Sequence, residues 1–184
     1  WLYVTGTALA KRLSVHGYYV RVAPQQVLDD RQALQLPVVI NNHSEYTAPP
    51  AWEQVALDFL QLVRFGLRQA DDPVVLDSLK VADALLKTDT PKGPVWHRYN
   101  NDGYGEHADG APYDGTGVGR GWPLLTGERG HYAVAAGEDA LPYMQAMNAM
   151  TGRGGLLPEQ VWDAEPIPAL GLYPGEPSGS VQPL

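Results

Sequence analysis

Apolar residues at Trp52, Val55, Ala56, Phe59, Leu60, Leu62, Val63 and Leu67 recur close to a 3.6-residue period, which predicts an amphipathic helix over 52–67. A second helix follows Asp72-Pro73. Asp72 can cap it, Pro73 suits its first turn, and Val74, Val75, Leu79, Ala82, Leu85 and Leu86 supply a buried face ending near Lys87. Two more helices are expected over 126–136, stopped by Gly137, and over 139–150, carrying Leu141, Met144, Ala146, Met147 and Met150. The β-branched and aromatic run Gly17-Tyr18-Tyr19-Val20-Arg21-Val22, closed by Pro24, predicts one short strand, and 38–40 a brief extended piece. From Gly93 to Pro123 no period persists, yet the stretch is dense in Gly, Trp, Tyr, His and Arg. Its aromatic content argues against disorder, and long ordered loops are commonly functional. The stretch 154–184, punctuated by prolines, reads as a further loop. Paired helices joined by long loops, with little strand, favour an all-α architecture: part of an α/α toroid, whose wall is helical and whose loops form the site.

Composition narrows the partners. The chain has a net charge of −8. An acidic surface repels phosphate backbones, so nucleic acid is an unsuitable partner, whereas a neutral polymer is indifferent to that charge. No run approaches the apolar length that crosses a membrane, and no secretion signal is visible. The absence of cysteine removes disulfides and thiolate metal sites.

Three segments carry candidate chemistry: Trp96-His97-Arg98-Tyr99-Asn100-Asn101-Asp102-Gly103-Tyr104-Gly105-Glu106-His107, then 115–132 with Arg120-Gly121-Trp122-Pro123-Leu124-Leu125-Thr126-Gly127-Glu128-Arg129-Gly130-His131-Tyr132, then Leu157-Pro158-Glu159-Gln160-Val161-Trp162-Asp163. A sugar ring has apolar faces and a hydroxylated rim, so it asks for aromatic platforms beside charged or amide partners. Trp, Tyr, Arg, Asp and Glu interleaved in long loops provide both. The glycines of 115–119 lack the preceding strand of a nucleotide loop, and Glu128 with His131 lacks the second pair that a di-metal site needs.

Together these segments resemble glycoside hydrolase family 15, the glucoamylases and glucodextranases, in their bacterial form. The resemblance runs from about Tyr18 onward and includes Ala70-Asp71-Asp72-Pro73 and Ser78-Leu79-Lys80-Val81-Ala82-Asp83. It implies part of an (α/α)6 barrel with its loops gathered at one end. The implied activity is exo-acting, inverting release of glucose from the non-reducing ends of starch-like or dextran-like chains. Trehalose hydrolysis and carbohydrate binding without turnover are the alternatives. Inversion uses two carboxyl groups, an acid that protonates the leaving oxygen and a base that activates water. Glu159 resembles the family's base. Arg120 resembles its sugar-binding arginine, with Arg98 a second candidate. Trp122 and Trp162 would stack on glucose rings or pack the loops. Glu128, beside Arg129, would touch sugar or sit in a polar network behind the site. The chemistry requires no cofactor, and no calcium loop is visible.

The family's general acid lies in a Trp- and Glu-rich segment upstream of the 17–22 strand, and 1–17 holds no acidic residue. A closing helix follows Pro183-Leu184 in the family. The resemblance therefore implies that 1–184 is a single partial catalytic domain, the general-base half. Its partners would be an α-glucan or maltooligosaccharide and the remainder of that domain. Open apolar faces on 52–67 or 139–150 would follow, as would a secreted or periplasmic location.

Overall fold

The computed structural model describes residues 1–178. The end of the loop 154–184 and the position of any closing helix lie outside the described residues. Strand β1 (Leu2–Thr5) and strand β2 (Gly17–Val20) form an antiparallel pair in the register Leu2 to Val20, joined through helix α1 (Ala8–Leu13). Helix α2 (Leu60–Arg64) precedes the long helix α3 (Pro73–Leu86). A hairpin follows, β3 (Lys87–Thr90) against β4 (Gly93–Trp96), and then come α4 (Pro123–Ala135) and α5 (Leu141–Ala149). The chain is thus helix and loop with two small two-stranded sheets, and the described helices do not close into a ring.

Helix α3 forms where the sequence places it. The Asp72 carboxylate accepts the Val74 N–H at 2.9 Å, and Pro73 gives up no needed donor in the first turn. Its face of Val75, Val81, Ala82 and Leu86 is buried against β2. Tyr18, Tyr19, Phe59, Leu60 and Trp96 complete this main core. A smaller cluster of Val95, Ala146, Met150 and Val161 lies between α5 and the loops.

The helix expected over 52–67 is a correction. Only α2 and a 3-10 turn at Ala51–Glu53 form there. Between them, tertiary partners take the backbone groups that a helix would use. The Arg21 N–H donates to the Gln54 carbonyl at 2.7 Å, and the Val55 N–H donates to Asn100 Oδ1, also at 2.7 Å. Ala56 bridges to Tyr99. Gln54, Val55 and Ala56 are all buried, so the apolar period reflects a buried extended segment followed by one turn of helix. The hairpin after α3 was also unexpected, because Pro91-Lys92-Gly93-Pro94 reads as punctuation between elements. Helix α4 starts three residues before Thr126, whose hydroxyl instead donates to the Pro94 carbonyl at 3.0 Å.

Apolar surface stays open on the side of α4 and α5. Leu124, Val134, Leu141 and Met144 are exposed, as are Phe65 and Leu67 beyond α2. A groove of about 390 Å³ runs between α4 and α5, floored by Gly127 and Gly130 and walled by Leu124, Tyr143, Met144 and Met147.

Candidate active site

The loops after β4 are stitched edge to edge by backbone bridges. Trp122 donates its N–H to the Trp96 carbonyl at 2.8 Å, and Val161 donates to the Gly121 carbonyl at 2.9 Å. Ser178 donates to the Gln160 carbonyl at 3.1 Å. Two glycines make this close approach feasible. A Cβ on Gly121 would stand 2.5 Å from Val95 Cγ1, and one on Gly117 would stand 1.8 Å from the Gly105 carbonyl oxygen. The glycine-rich run 115–121 therefore serves loop-on-loop packing.

This stitching brings one exposed carboxylate to an aromatic face. Glu159 is exposed, and the Tyr104 hydroxyl donates to its Oε2 at a long 3.4 Å. The Tyr104 ring meets Tyr113 edge-on at 5.1 Å and lies tilted at 6.2 Å from Trp122. The Arg98 guanidinium carbon stands 4.9 Å from the Trp122 ring and 5.0 Å from the Tyr104 ring. Arg98 is fixed from behind by a two-pronged pair with Asp102, Nε to Oδ2 at 2.7 Å and Nη2 to Oδ1 at 2.8 Å. The same carboxylate accepts the Tyr104 N–H at 3.0 Å, so Asp102 fixes both Arg98 and the backbone of Tyr104.

The charge states follow from these contacts. Burial lifts the Tyr104 phenol above its usual range, and the Glu159 charge and hydrogen bond add to the lift. Tyr104 therefore stays a proton donor to Glu159 at neutral pH. Burial alone would lower Arg98, but the hydrogen bonds and charge of Asp102 outweigh it and the group is raised overall. The face thus offers aromatic surface, a fixed cation and a solvent-open carboxylate, which is the equipment for holding a polyol while a water is deprotonated. Among the described residues no group of three or more His, Asp and Glu side chains is placed to hold a metal ion.

Arg98, Trp122 and Glu159 stand together on this face. Arg120 and Trp162 do not reach it: both are buried, and Trp162 packs the loops, one of its two expected placements. Arg120 is 3% exposed and Trp162 1%. Arg120 Nη2 donates to the carbonyls of Glu106 and His107 at 2.9 and 2.8 Å. Its guanidinium carbon lies 3.8 Å over the Trp162 ring, whose N–H is used by the Glu165 carbonyl. The two arginines differ in burial for a simple reason: Arg98 follows the end of β4 at the loop surface, whereas Arg120 lies in the glycine run that packs against the neighbouring loops. Asp102 and Tyr104 were not singled out from the sequence. The available signal was the Arg98 to Asp102 spacing, which suits a salt bridge, inside an aromatic run.

Glu128 takes the second of its two expected placements, a polar network. It sits on α4 facing α2, where it accepts from Gln61 Nε2 at 2.7 Å and pairs with Arg64 Nη1 at 3.0 Å. Its neighbour Arg129 is buried and pairs with Asp83 at 3.0 Å, and Asp83 also accepts the Trp96 indole N–H at 2.8 Å. Both residues belong to a helix-packing network. Glu128→Gln should accordingly leave KM for a maltooligosaccharide within about twofold of wild type and lower stability by about 1 kcal/mol, because the Arg64 end of the pair is open to solvent and the amide can still accept from Gln61. A large rise in KM would return Glu128 to the sugar site.

Comparison with known proteins finds relatives in sequence and in structure. The chain is 47% identical over 151 residues to a glucoamylase of Clostridium sp. (strain G0005), covering 82% of this chain and 21% of that protein. A crystal structure of a bacterial glucoamylase complexed with acarbose is similar with a TM-score of 0.74 and 44% identity, covering 89% of this chain and 22% of that one. No protein-family model matches the chain. The shared sequence and fold place the chain as similar to a segment of glycoside hydrolases. More narrowly, it matches a segment of bacterial glucoamylases and spans about a fifth of the length of these relatives.

Proposed function

We propose that the chain supplies the general-base side of an inverting, exo-acting α-glucan hydrolase, releasing glucose from non-reducing ends. The observation that carries this reading is Glu159, an exposed carboxylate touched by the Tyr104 hydroxyl, whose ring in turn lies near Trp122 and Arg98. A glucose ring would rest against the aromatic face, with the Arg98 fork on its hydroxyls. A water between Glu159 and the anomeric carbon gives its proton to the carboxylate. Its oxygen forms the new bond to that carbon as the glycosidic C–O bond breaks on the opposite side. The leaving oxygen takes a proton from a carboxylic acid supplied elsewhere in the enzyme.

In this reading 1–184 is one part of a longer catalytic domain, an (α/α)6 barrel whose loops gather at the site end. The open apolar groove between α4 and α5 is where further helices of that barrel would pack. The relative solved with acarbose supports an oligosaccharide as ligand, and acarbose serves as the probe of binding.

The test follows maltotriose hydrolysis by the complete enzyme with proton NMR, alongside isomaltotriose and trehalose. β-Glucose appearing first, before mutarotation, is the expected result. α-Glucose first would rule out inversion, turnover of trehalose alone would make the enzyme a trehalose hydrolase, and acarbose binding without turnover would leave only carbohydrate binding.

A further inference from the structure

Glu159 carries the proposed chemistry, yet its own carboxylate is held only loosely, by the long contact with Tyr104. Its place must therefore be set from the backbone on either side of it. On the C-terminal side that backbone runs straight into Gln160, Val161, Trp162 and Asp163, whose side chains are buried or, for Asp163, 3% exposed. The group that meets this segment from the other loops is Arg120.

We propose that Arg120 is a positioning residue, a buried guanidinium clamp that binds the Tyr104 loop and the Glu159 loop to its own loop segment and so sets the base in place. Its contacts reach each loop separately. Nη2 takes the carbonyls of Glu106 and His107, just past Tyr104. The flat face lies on Trp162, and Nη1 stands 3.6 Å from Asp163 Oδ1, both just past Glu159. The next residues of its own chain are Gly121, which accepts the Val161 N–H, and Trp122 of the aromatic face.

Arginine is suited to this task in a way that lysine is not. A planar fork can hold two adjacent carbonyls while its face stacks on an indole, whereas an ammonium is a single point with no flat face. Burial pulls the guanidinium below its usual range, and the nearby Asp163 and Glu106 charges work against that pull. Asp163 is itself held on its far side by His97 Nε2. A buried cation is costly to keep. A merely structural wedge could be apolar, so the retained charge points to geometric fixing.

This inference rests on Glu159 being the general base, and a double-mutant cycle separates the two ideas. Arg120→Lys and Asp163→Asn are each made in the complete enzyme and again in Glu159→Gln, with folding checked by circular dichroism. Displacing a reacting group by about 1 Å can cost about 10²-fold. Arg120→Lys should therefore lower kcat on maltotriose by about 10- to 100-fold while KM changes much less. In the Glu159→Gln background the same change should have almost no further effect, because the group being positioned is already gone. Asp163→Asn should show the same non-additivity with a smaller loss, and it carries the test if Arg120→Lys does not fold. Equal losses in both backgrounds, an unchanged kcat, or an effect confined to KM would overturn the clamp. Near-normal turnover by Glu159→Gln alone would overturn the assignment of the base, and the clamp with it.

Discussion

Glu159→Gln in the complete enzyme should lower turnover of maltooligosaccharides by about 10²- to 10⁴-fold, the usual contribution of a general base. The amide keeps the size of the side chain and can still accept the Tyr104 hydroxyl, but it cannot take a proton from water. Binding should survive the change, because Arg98, Trp122 and Tyr104 form the rest of the face. The dissociation constant for acarbose should accordingly move by less than about threefold, while kcat collapses. Added azide, which needs no deprotonation, should restore part of the rate by attacking where the water would stand. Three other acidic residues of this region are already engaged. Glu106 is buried and takes the Ser178 hydroxyl. Asp163 is buried between Arg120 and His97, and Glu128 is engaged between helices. Near-normal turnover by Glu159→Gln would therefore mean that the base is none of these four carboxylates.

What the sequence disclosed and what it hid divide along a physical line. Helix α3 was legible because capping, proline placement and period agree, and all are local. The Glu159 loop was legible as a motif. The segment 52–59 misled because burial, not helicity, sets its apolar spacing, and its backbone partners Arg21 and Asn100 lie far away in the chain. The difference in burial between Arg98 and Arg120 was hidden for a related reason. Both are arginines among aromatics, and only the packing of the 115–121 run against the neighbouring loops decides which one water can reach. Glu128 likewise looked available until α2 supplied Gln61 and Arg64 opposite it.

Asp102→Ala should be the most damaging change to the site that leaves the base itself untouched. The Asp102 side chain is fully buried, while that of Arg98 is 33% exposed. Removing one member of a buried pair typically costs about 3–5 kcal/mol, because the remaining charge is left without its partner. The lower end, about 3 kcal/mol, is expected here, since the freed guanidinium can turn toward water. The Tyr104 N–H loses its acceptor at the same time, so Arg98 and the backbone of Tyr104 lose their anchor in one substitution. The kinetic signature should differ from that of Glu159→Gln. Arg98 would no longer be held 4.9 Å from the Trp122 ring, and KM for maltotriose should rise by about tenfold or more, together with a fall in kcat as Tyr104 drifts from the carboxylate. Asp102→Asn provides the internal control. Its amide oxygen can still accept from Tyr104 and from one prong of Arg98, but the charge is gone, so its losses should fall between those of wild type and Asp102→Ala. Urea denaturation measures the stability change, and maltotriose kinetics measure the site. If Asp102→Ala unfolds at the wild-type midpoint with an unchanged KM, Arg98 does not depend on Asp102 and the sugar must be held by other groups.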